Sequence, residues 1–240
     1  MVSIWQGAMQ VFVVGFPPLL QSLLFWVFAA LVVHVCQQLV EHTAYSVDPS
    51  SRRISASHAS LCIGSIVWAL DVVGLFLYNE LSHHVLELVP ALSGLVIMVM
   101  SARLTIPTLN TGASKRRIAM ASLWLALGTL AGHFTITSSH VQSFGQINLL
   151  ATVLSLGIAT GISCYCAIRR RAAKLSVLTP RYRAQNRADK LLCGGAILVL
   201  HWLLVNTFPM HQGNHDAASD GAALLVVMLV FAMAVAMEHR

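Results

Sequence analysis

Long apolar runs separated by short polar connections recur along the whole chain. At about 20 residues for each crossing of a bilayer, this pattern predicts seven membrane-spanning helices. The predicted spans cover approximately residues 19–39, 60–78, 85–101, 118–138, 147–168, 191–208 and 221–237. Residues 1–18 are apolar but interrupted by Pro17 and Pro18, and they are predicted to form an outer segment before the first span. The expected fold is an all-α, polytopic transmembrane bundle in which residues 1–240 form a single domain.

The composition agrees with a membrane protein. Of the 240 residues, 57% are hydrophobic and 10% are charged, and the mean hydropathy is +0.73. An ordinary soluble domain carries roughly 25% charged residues. Because the deficit extends along the whole chain, the lipid bilayer is the expected surrounding, and no segment is long and polar enough for a separate catalytic domain.

The basic residues indicate how the helices are oriented. The net charge is +6, but the lysines and arginines lie in short loops between apolar runs, which is not the pattern of a nucleic-acid-binding protein. The loops after the first, third and fifth spans hold two, four and eight of them, and the C-terminal tail holds one, which accounts for all 15. The positive-inside rule then predicts an N-terminus outside and a C-terminus in the cytoplasm, with seven spans.

The predicted loop 169–190 is the most basic stretch of the chain. Its simplest role is an orientation signal that also contacts anionic lipid head groups. The alternative is a docking site for a cytoplasmic or membrane protein partner.

Three polar side chains interrupt apolar runs in spans two, four and six, which are predicted to run in the same direction. Asp71 lies in GSIVWALDVVGL, His133 in ALGTLAGHFTIT and His201 in GGAILVLHWLLV. Similar spacings separate the three, as expected for a repeated two-helix unit. At 1.5 Å rise per residue, all three lie roughly 7–10 Å inside the predicted outer ends of their spans. Ionisable groups at such depth are costly and mark a site.

Three arrangements of these residues stay open. Asp71, His133 and His201 together form a ligand set suited to iron or another borderline divalent ion. Alternatively, Asp71 pairs with one histidine only to satisfy a buried polar cluster, or the side chains do not face one another. A haem held by His133 and His201 as axial ligands is a less favoured cofactor.

Two further groups carry potential ligand atoms. The connection after span six contains Met210, His211 and His215 in the sequence MHQGNH, a candidate for copper or zinc. All five cysteines fall in the predicted cytoplasmic halves of the spans, which predicts reduced thiols that serve as small packing residues. They are Cys36, Cys62, Cys164, Cys166 and Cys193.

The repeated stretches resemble the motif of the bacterial MHYT domain. In the second copy, Gly128, His133, Phe134 and Thr135 match the family pattern, and Gly132 stands where the family has methionine. The first and third copies are more divergent, with Asp71 in a histidine place of the first. The remaining matching positions are Gly64, Trp68 and Gly74 in the first copy, and Gly194, His201 and Trp202 in the third.

The resemblance implies an integral membrane sensor of the bacterial cytoplasmic (inner) membrane. Members of the family are thought to bind a metal, copper above all, and to sense oxygen, CO or NO in signal transduction. The chain contains none of the common hydrolase, metalloprotease or phosphate-loop motifs, so we expect a non-enzymatic sensory or ligand-binding module. The alternative is a structural or accessory subunit of a larger membrane complex, with relic motifs and no bound metal.

Overall fold

The structure is a computed structural model that describes residues 19–45, 48–77, 88–110, 114–138, 147–173 and 180–207. Within these ranges the chain forms six helices, all long and apolar enough to cross a membrane. They are α1 (Leu19–Tyr45), α2 (Pro49–Leu77), α3 (Leu88–Asn110), α4 (Lys115–Thr137), α5 (Leu149–Ala173) and α6 (Pro180–Val205). The all-helical, multi-pass character agrees with the sequence prediction. The predicted outer segment 1–18 and seventh span 221–237 lie outside the described residues.

Helix α2 begins well before the span predicted from hydropathy. The predicted loop around Arg53 is instead part of the helix, which starts at Pro49. Asp48 caps it, because its carboxylate accepts a hydrogen bond from the backbone N–H of Ser51 at 3.0 Å, and proline suits the first helical position. A hydrogen bond from the Ser50 hydroxyl, followed by that backbone bond, lowers the pKa of the Asp48 carboxyl.

The basic stretch 169–190 is also mostly helical, so its prediction as a loop was wrong. Helix α5 continues to Ala173, and α6 already begins at Pro180; residues 174–179 lie outside the described ranges. Hydropathy locates the segment that fits a bilayer, whereas capping groups and prolines decide where a helix begins. Many of the basic side chains are therefore carried on the ends of two helices.

The six helices form a closed ring. Each packs on the next in the chain, and α6 packs on α1. Phe25 lies against His201 while Ala30 lies against Gly194, so α1 and α6 are antiparallel. We call the end of the ring where α2, α4 and α6 begin the basic end, because Arg53, Lys115 and Arg187 lie there. Which side of the membrane this end faces stays a prediction.

Glycines allow close approach between neighbouring helices. A Cβ placed on Gly64 of α2 would lie 2.5 Å from the Val99 Cα of α3. One placed on Gly194 of α6 would lie 2.9 Å from the Ala30 backbone nitrogen of α1. Small residues let helix backbones pack closely in a bilayer, where van der Waals contact contributes much of the association.

Gly64→Ala is expected to lower the free energy of unfolding by about 1–3 kcal/mol, because the backbone of Val99 cannot yield as a side chain would. Gly161→Ala is the matched control, since nothing lies within 4 Å of a Cβ at that position and alanine is the better helix former. The measurement is the folded fraction against SDS in mixed micelles. Equal stability of the two variants would contradict this account of the α2–α3 contact.

Candidate functional site

Asp71, His133 and His201 come together in the interior of the ring. The Nδ1 atom of His133 lies 2.9 Å from Oδ1 and 3.1 Å from Oδ2 of Asp71. The Nδ1 atom of His201 lies 3.4 Å from Oδ1 of the same carboxylate. All three residues are buried, and His133 is fully so. We call these three residues the carboxylate–imidazole cluster.

The cluster joins helices that are not neighbours in the ring. Helices α2, α4 and α6 alternate with α1, α3 and α5, and α2 contacts α4 and α6 far less than it contacts its neighbours. Asp71 reaches His133 on one side and His201 on the other, so its carboxylate bridges three helices across the interior. The three residues lie on alternate helices, as the predicted repeat of a two-helix unit would place them.

The surroundings of the cluster are mostly apolar. The Phe25 ring lies 5.3 Å from the His201 ring, centroid to centroid. Gly74 packs directly against the His201 imidazole at the position where a larger residue would carry a Cβ. On α2, Val72 and Leu75 are completely buried. Little water reaches these groups, so they must satisfy one another.

The bridging arrangement fixes the role of the imidazole nitrogens. An ionised carboxylate only accepts hydrogen bonds, so both Nδ1 atoms donate to Asp71. A buried carboxylate that is paired with hydrogen-bond donors costs less than an isolated one. The Nε2 atom of His133 is buried and has no hydrogen-bond partner among the described residues.

The predicted metal site, with all three side chains on one ion, does not fit this geometry. Because both rings direct Nδ1 at the same carboxylate, their Nε2 atoms lie on the far sides of the two rings, and that of His201 abuts Gly74. Within the described residues, no group of three or more His, Cys, Asp or Glu side chains could hold a metal ion. Met210, His211 and His215 lie outside those residues.

Haem ligation by His133 and His201 stays a prediction. Axial ligation requires two rings that face one iron from opposite sides, whereas here the Asp71 carboxylate contacts both rings. The ring centroids of His133 and His201 are 6.2 Å apart and the rings are perpendicular. The donor set is that of an ion-paired hydrogen-bond network.

An apolar cavity of about 200 Å³ extends from the cluster toward the basic end. All six helices line it. Asp71 and His201 lie at one end, and Gln37 and Cys166 lie toward the other. Most of the lining is aliphatic, as at Val67 and Ile197. Hydropathy alone did not reveal this cavity, because a cavity-facing valine and a lipid-facing valine look the same in a sequence.

Sequence reasoning also missed the role of Gly74 and the contact between two thiols. Cys166 and Cys193 lie 3.8 Å apart, sulfur to sulfur. Spacing alone did not point to this contact, because Cys166 lies 8 residues before residue 174 (174 − 166) and Cys193 lies 14 residues after residue 179 (193 − 179) in the hairpin of α5 and α6. Tyr165 and Asp189 meet across the same hairpin at 2.7 Å.

Gly74→Ala is expected to displace the His201 ring and to lower the free energy of unfolding by about 1–3 kcal/mol, the usual cost of overpacking. The same change at Gly157, where nothing lies within 4 Å of a Cβ, is the control and is expected to be neutral or slightly stabilising. SDS titration in mixed micelles measures both. A Gly74→Ala protein as stable as Gly157→Ala would place His201 elsewhere.

Comparison with protein-family models, curated proteins and solved structures finds no match. The likeness to the MHYT family rests on the motif positions. Several of these surround the cluster: Gly74 contacts His201, and the Trp68 indole donates to the Ala91 carbonyl oxygen at 2.9 Å, which joins α2 to α3 nearby.

Proposed function

We propose that the chain is a non-enzymatic sensory module of the bacterial cytoplasmic membrane, with its N-terminus outside. The carboxylate–imidazole cluster is its responsive element. The observation that carries the proposal is that one buried carboxylate holds two imidazoles from different helices, at 2.9 and 3.4 Å. A change at any member alters contacts between three helices at once.

The chemistry of the cluster supports a responsive role over simple packing. Apolar side chains of similar volume would hold the helices at lower cost than buried ionisable groups. The cluster contains three ionisable side chains, so gain or loss of one proton changes its net charge. Each protonation state has a different attraction between Asp71 and the two imidazoles. A change in this attraction favours one arrangement of the six helices over another.

The family likeness adds a second kind of signal to this proposal: a diatomic gas, a redox change or a metal ion. The atom available for such a ligand is His133 Nε2, which is buried without a hydrogen-bond partner among the described residues. A carboxylate on Nδ1 commonly orients a histidine whose Nε2 binds a metal. Asp71 would then orient the ligand histidine, and copper or iron would be held by His133 with donors other than Asp71.

A structural or accessory role in a larger membrane complex is the second candidate. The observation that favours it is that both oxygens of Asp71 already accept from His133, as in a static tie between helices. In that case the cluster stabilises the bundle, and its protonation leaves the helix arrangement unchanged.

Distances between the starts of α2, α4 and α6 distinguish the two functions. Arg53, Lys115 and Arg187 are exposed at the basic end and accept spin labels carried by a ketone-bearing non-natural amino acid, which leaves the native cysteines in place. We expect the pairwise distance distributions, measured by pulsed EPR in lipid nanodiscs, to shift with pH. The same measurement is repeated with copper, iron and NO.

Asp71→Asn is the test variant and is expected to abolish the shift. Thr105→Val is the matched control, since Thr105 is buried but its hydroxyl donates within α3, to the Ser101 carbonyl oxygen at 2.8 Å. The control is expected to shift like the unmodified protein. Distributions that stay identical under every condition would reject the sensory function in favour of the structural one.

A further inference from the structure

Two cysteine side chains meet near the basic end of the ring, well away from the cluster. The sulfur of Cys166 on α5 lies 3.8 Å from the sulfur of Cys193 on α6. The Gln37 amide of α1 donates to the Cys166 sulfur, also at 3.8 Å. Cys193 is buried, and Cys166 is half-buried. Three helices therefore bring two thiols and one amide donor together.

The cavity gives one of these thiols an apolar access route. Cys166 and Gln37 line it, together with Cys36. Away from Asp71 and His201 at the far end, most of its lining is aliphatic, as at Val33. A neutral, lipid-soluble molecule therefore fits the part near the thiols, and a charged one does not. An engineered cavity of about 150 Å³ in another protein admits benzene, and the present one, of about 200 Å³, is large enough for one six-membered ring.

We propose that Cys166 and Cys193 form a redox-active thiol pair that a lipid-soluble quinone oxidises to a disulfide from within the cavity. A quinone accepts two electrons and two protons and partitions into a bilayer, which matches both the pair of thiols and the apolar lining. The proposal does not rest on the sensory function, because the reacting groups are two thiols, while Asp71 and His201 only line the far end of the same cavity.

The reaction balances with these groups alone. The Cys166 thiolate, stabilised by the Gln37 amide donor, adds to a ring carbon of the quinone, because the thiolate is the nucleophilic form. The Cys193 sulfur then attacks the Cys166 sulfur as the Cys193 thiol releases its proton. The sulfur–carbon bond breaks, its electron pair passes to the ring, and the two thiol protons end on the quinone oxygens. Two thiols and one quinone give one disulfide and one hydroquinone.

The test uses the full chain in lipid nanodiscs, reduced and kept anaerobic, with a fully substituted short-chain benzoquinone as the probe. We expect one hydroquinone for each disulfide, and a disulfide-linked peptide pair that contains Cys166 and Cys193 by mass spectrometry. Cys166→Ser and Cys193→Ser are expected to abolish hydroquinone formation. Cys164→Ser, two residues away and outside the cavity lining, is the matched control and is expected to react normally.

A second variant tests the route. Ala159 lines the cavity, so Ala159→Phe is expected to slow quinone reduction by about tenfold or more, through competition between aromatic rings for the same space. Val153→Phe, at an exposed position of the same helix, is expected to leave the rate unchanged. Diamide, a small thiol oxidant, is expected to join the two cysteines in both variants, which shows that the pair is intact.

Three results would overturn the proposal. The first is a reduced protein that diamide oxidises and the quinone does not. The second is a disulfide that joins a different pair, such as Cys36 with Cys166. The third is a quinone reaction that proceeds equally fast in Ala159→Phe and in the unmodified protein.

Discussion

Asp71→Leu is expected to lower the free energy of unfolding by about 3–5 kcal/mol, the usual cost of removing one partner from a buried ion pair. The substitution keeps the number and branching of the side-chain heavy atoms, although the two methyl groups are larger than the carboxylate oxygens. The loss arises because His133 and His201 both direct Nδ1 at this carboxylate and would both lose it as an acceptor. The measurement is the folded fraction against SDS in mixed micelles.

Replacing all three residues provides the internal control. When Asp71, His133 and His201 are all leucine, no polar group of the cluster is left unsatisfied, and most of the lost stability is expected to return. Thr105→Val, which removes a buried hydroxyl bonded within its own helix, is expected to cost only about 1 kcal/mol. If the triple variant were less stable than Asp71→Leu, the loss would come from packing rather than from unpaired polar groups.

His133→Leu is expected to destabilise the protein more than His201→Leu. His133 is fully buried and contacts both carboxylate oxygens, so its loss leaves Asp71 with the weaker contact alone; we expect about 3–5 kcal/mol. His201 contacts one oxygen at 3.4 Å, and its loss is expected to cost about 1–3 kcal/mol.

The same SDS titration ranks the two histidine variants. A double-mutant cycle with Asp71→Leu then separates the pairwise interaction from packing, because residues in one network do not contribute additively. The coupling energy for Asp71 and His133 is expected to exceed that for Asp71 and His201. The reverse order would mean that His201 holds the carboxylate in the membrane.

The transmembrane segments could be predicted from hydropathy, but the helix ends could not. A long run of apolar residues predicts a helix that can cross a bilayer. The segment around His133 is such a run, and it lies within α4. The start of α2 at Pro49 depends on the Asp48 cap, and the start of α6 at Pro180 lies in a strongly basic stretch. Local capping chemistry, not hydropathy, sets these bounds.

The spacing of Asp71, His133 and His201 predicted that they share a height, and the structure brings them into contact. It could not predict which ring nitrogen faces the carboxylate, because this depends on side-chain rotamers. The geometry expected for a metal site did not fit for that reason. The three residues converge, but the Nδ1 atoms of both histidines already contact the Asp71 carboxylate. The role of Gly74 could not be predicted either. A Cβ at this position would overlap the His201 imidazole, and this contact is visible only in the structure.

The account depends most on the statement that one carboxylate accepts hydrogen bonds from Nδ1 of both His133 and His201. The most direct test is ¹⁵N NMR of histidine-labelled protein in nanodiscs, with signals assigned through His133→Leu and His201→Leu. We predict a proton on Nδ1 of both rings, and a change in both signals in Asp71→Asn. Rings protonated only at Nε2, or signals of both residues that stay unchanged in Asp71→Asn, would contradict it.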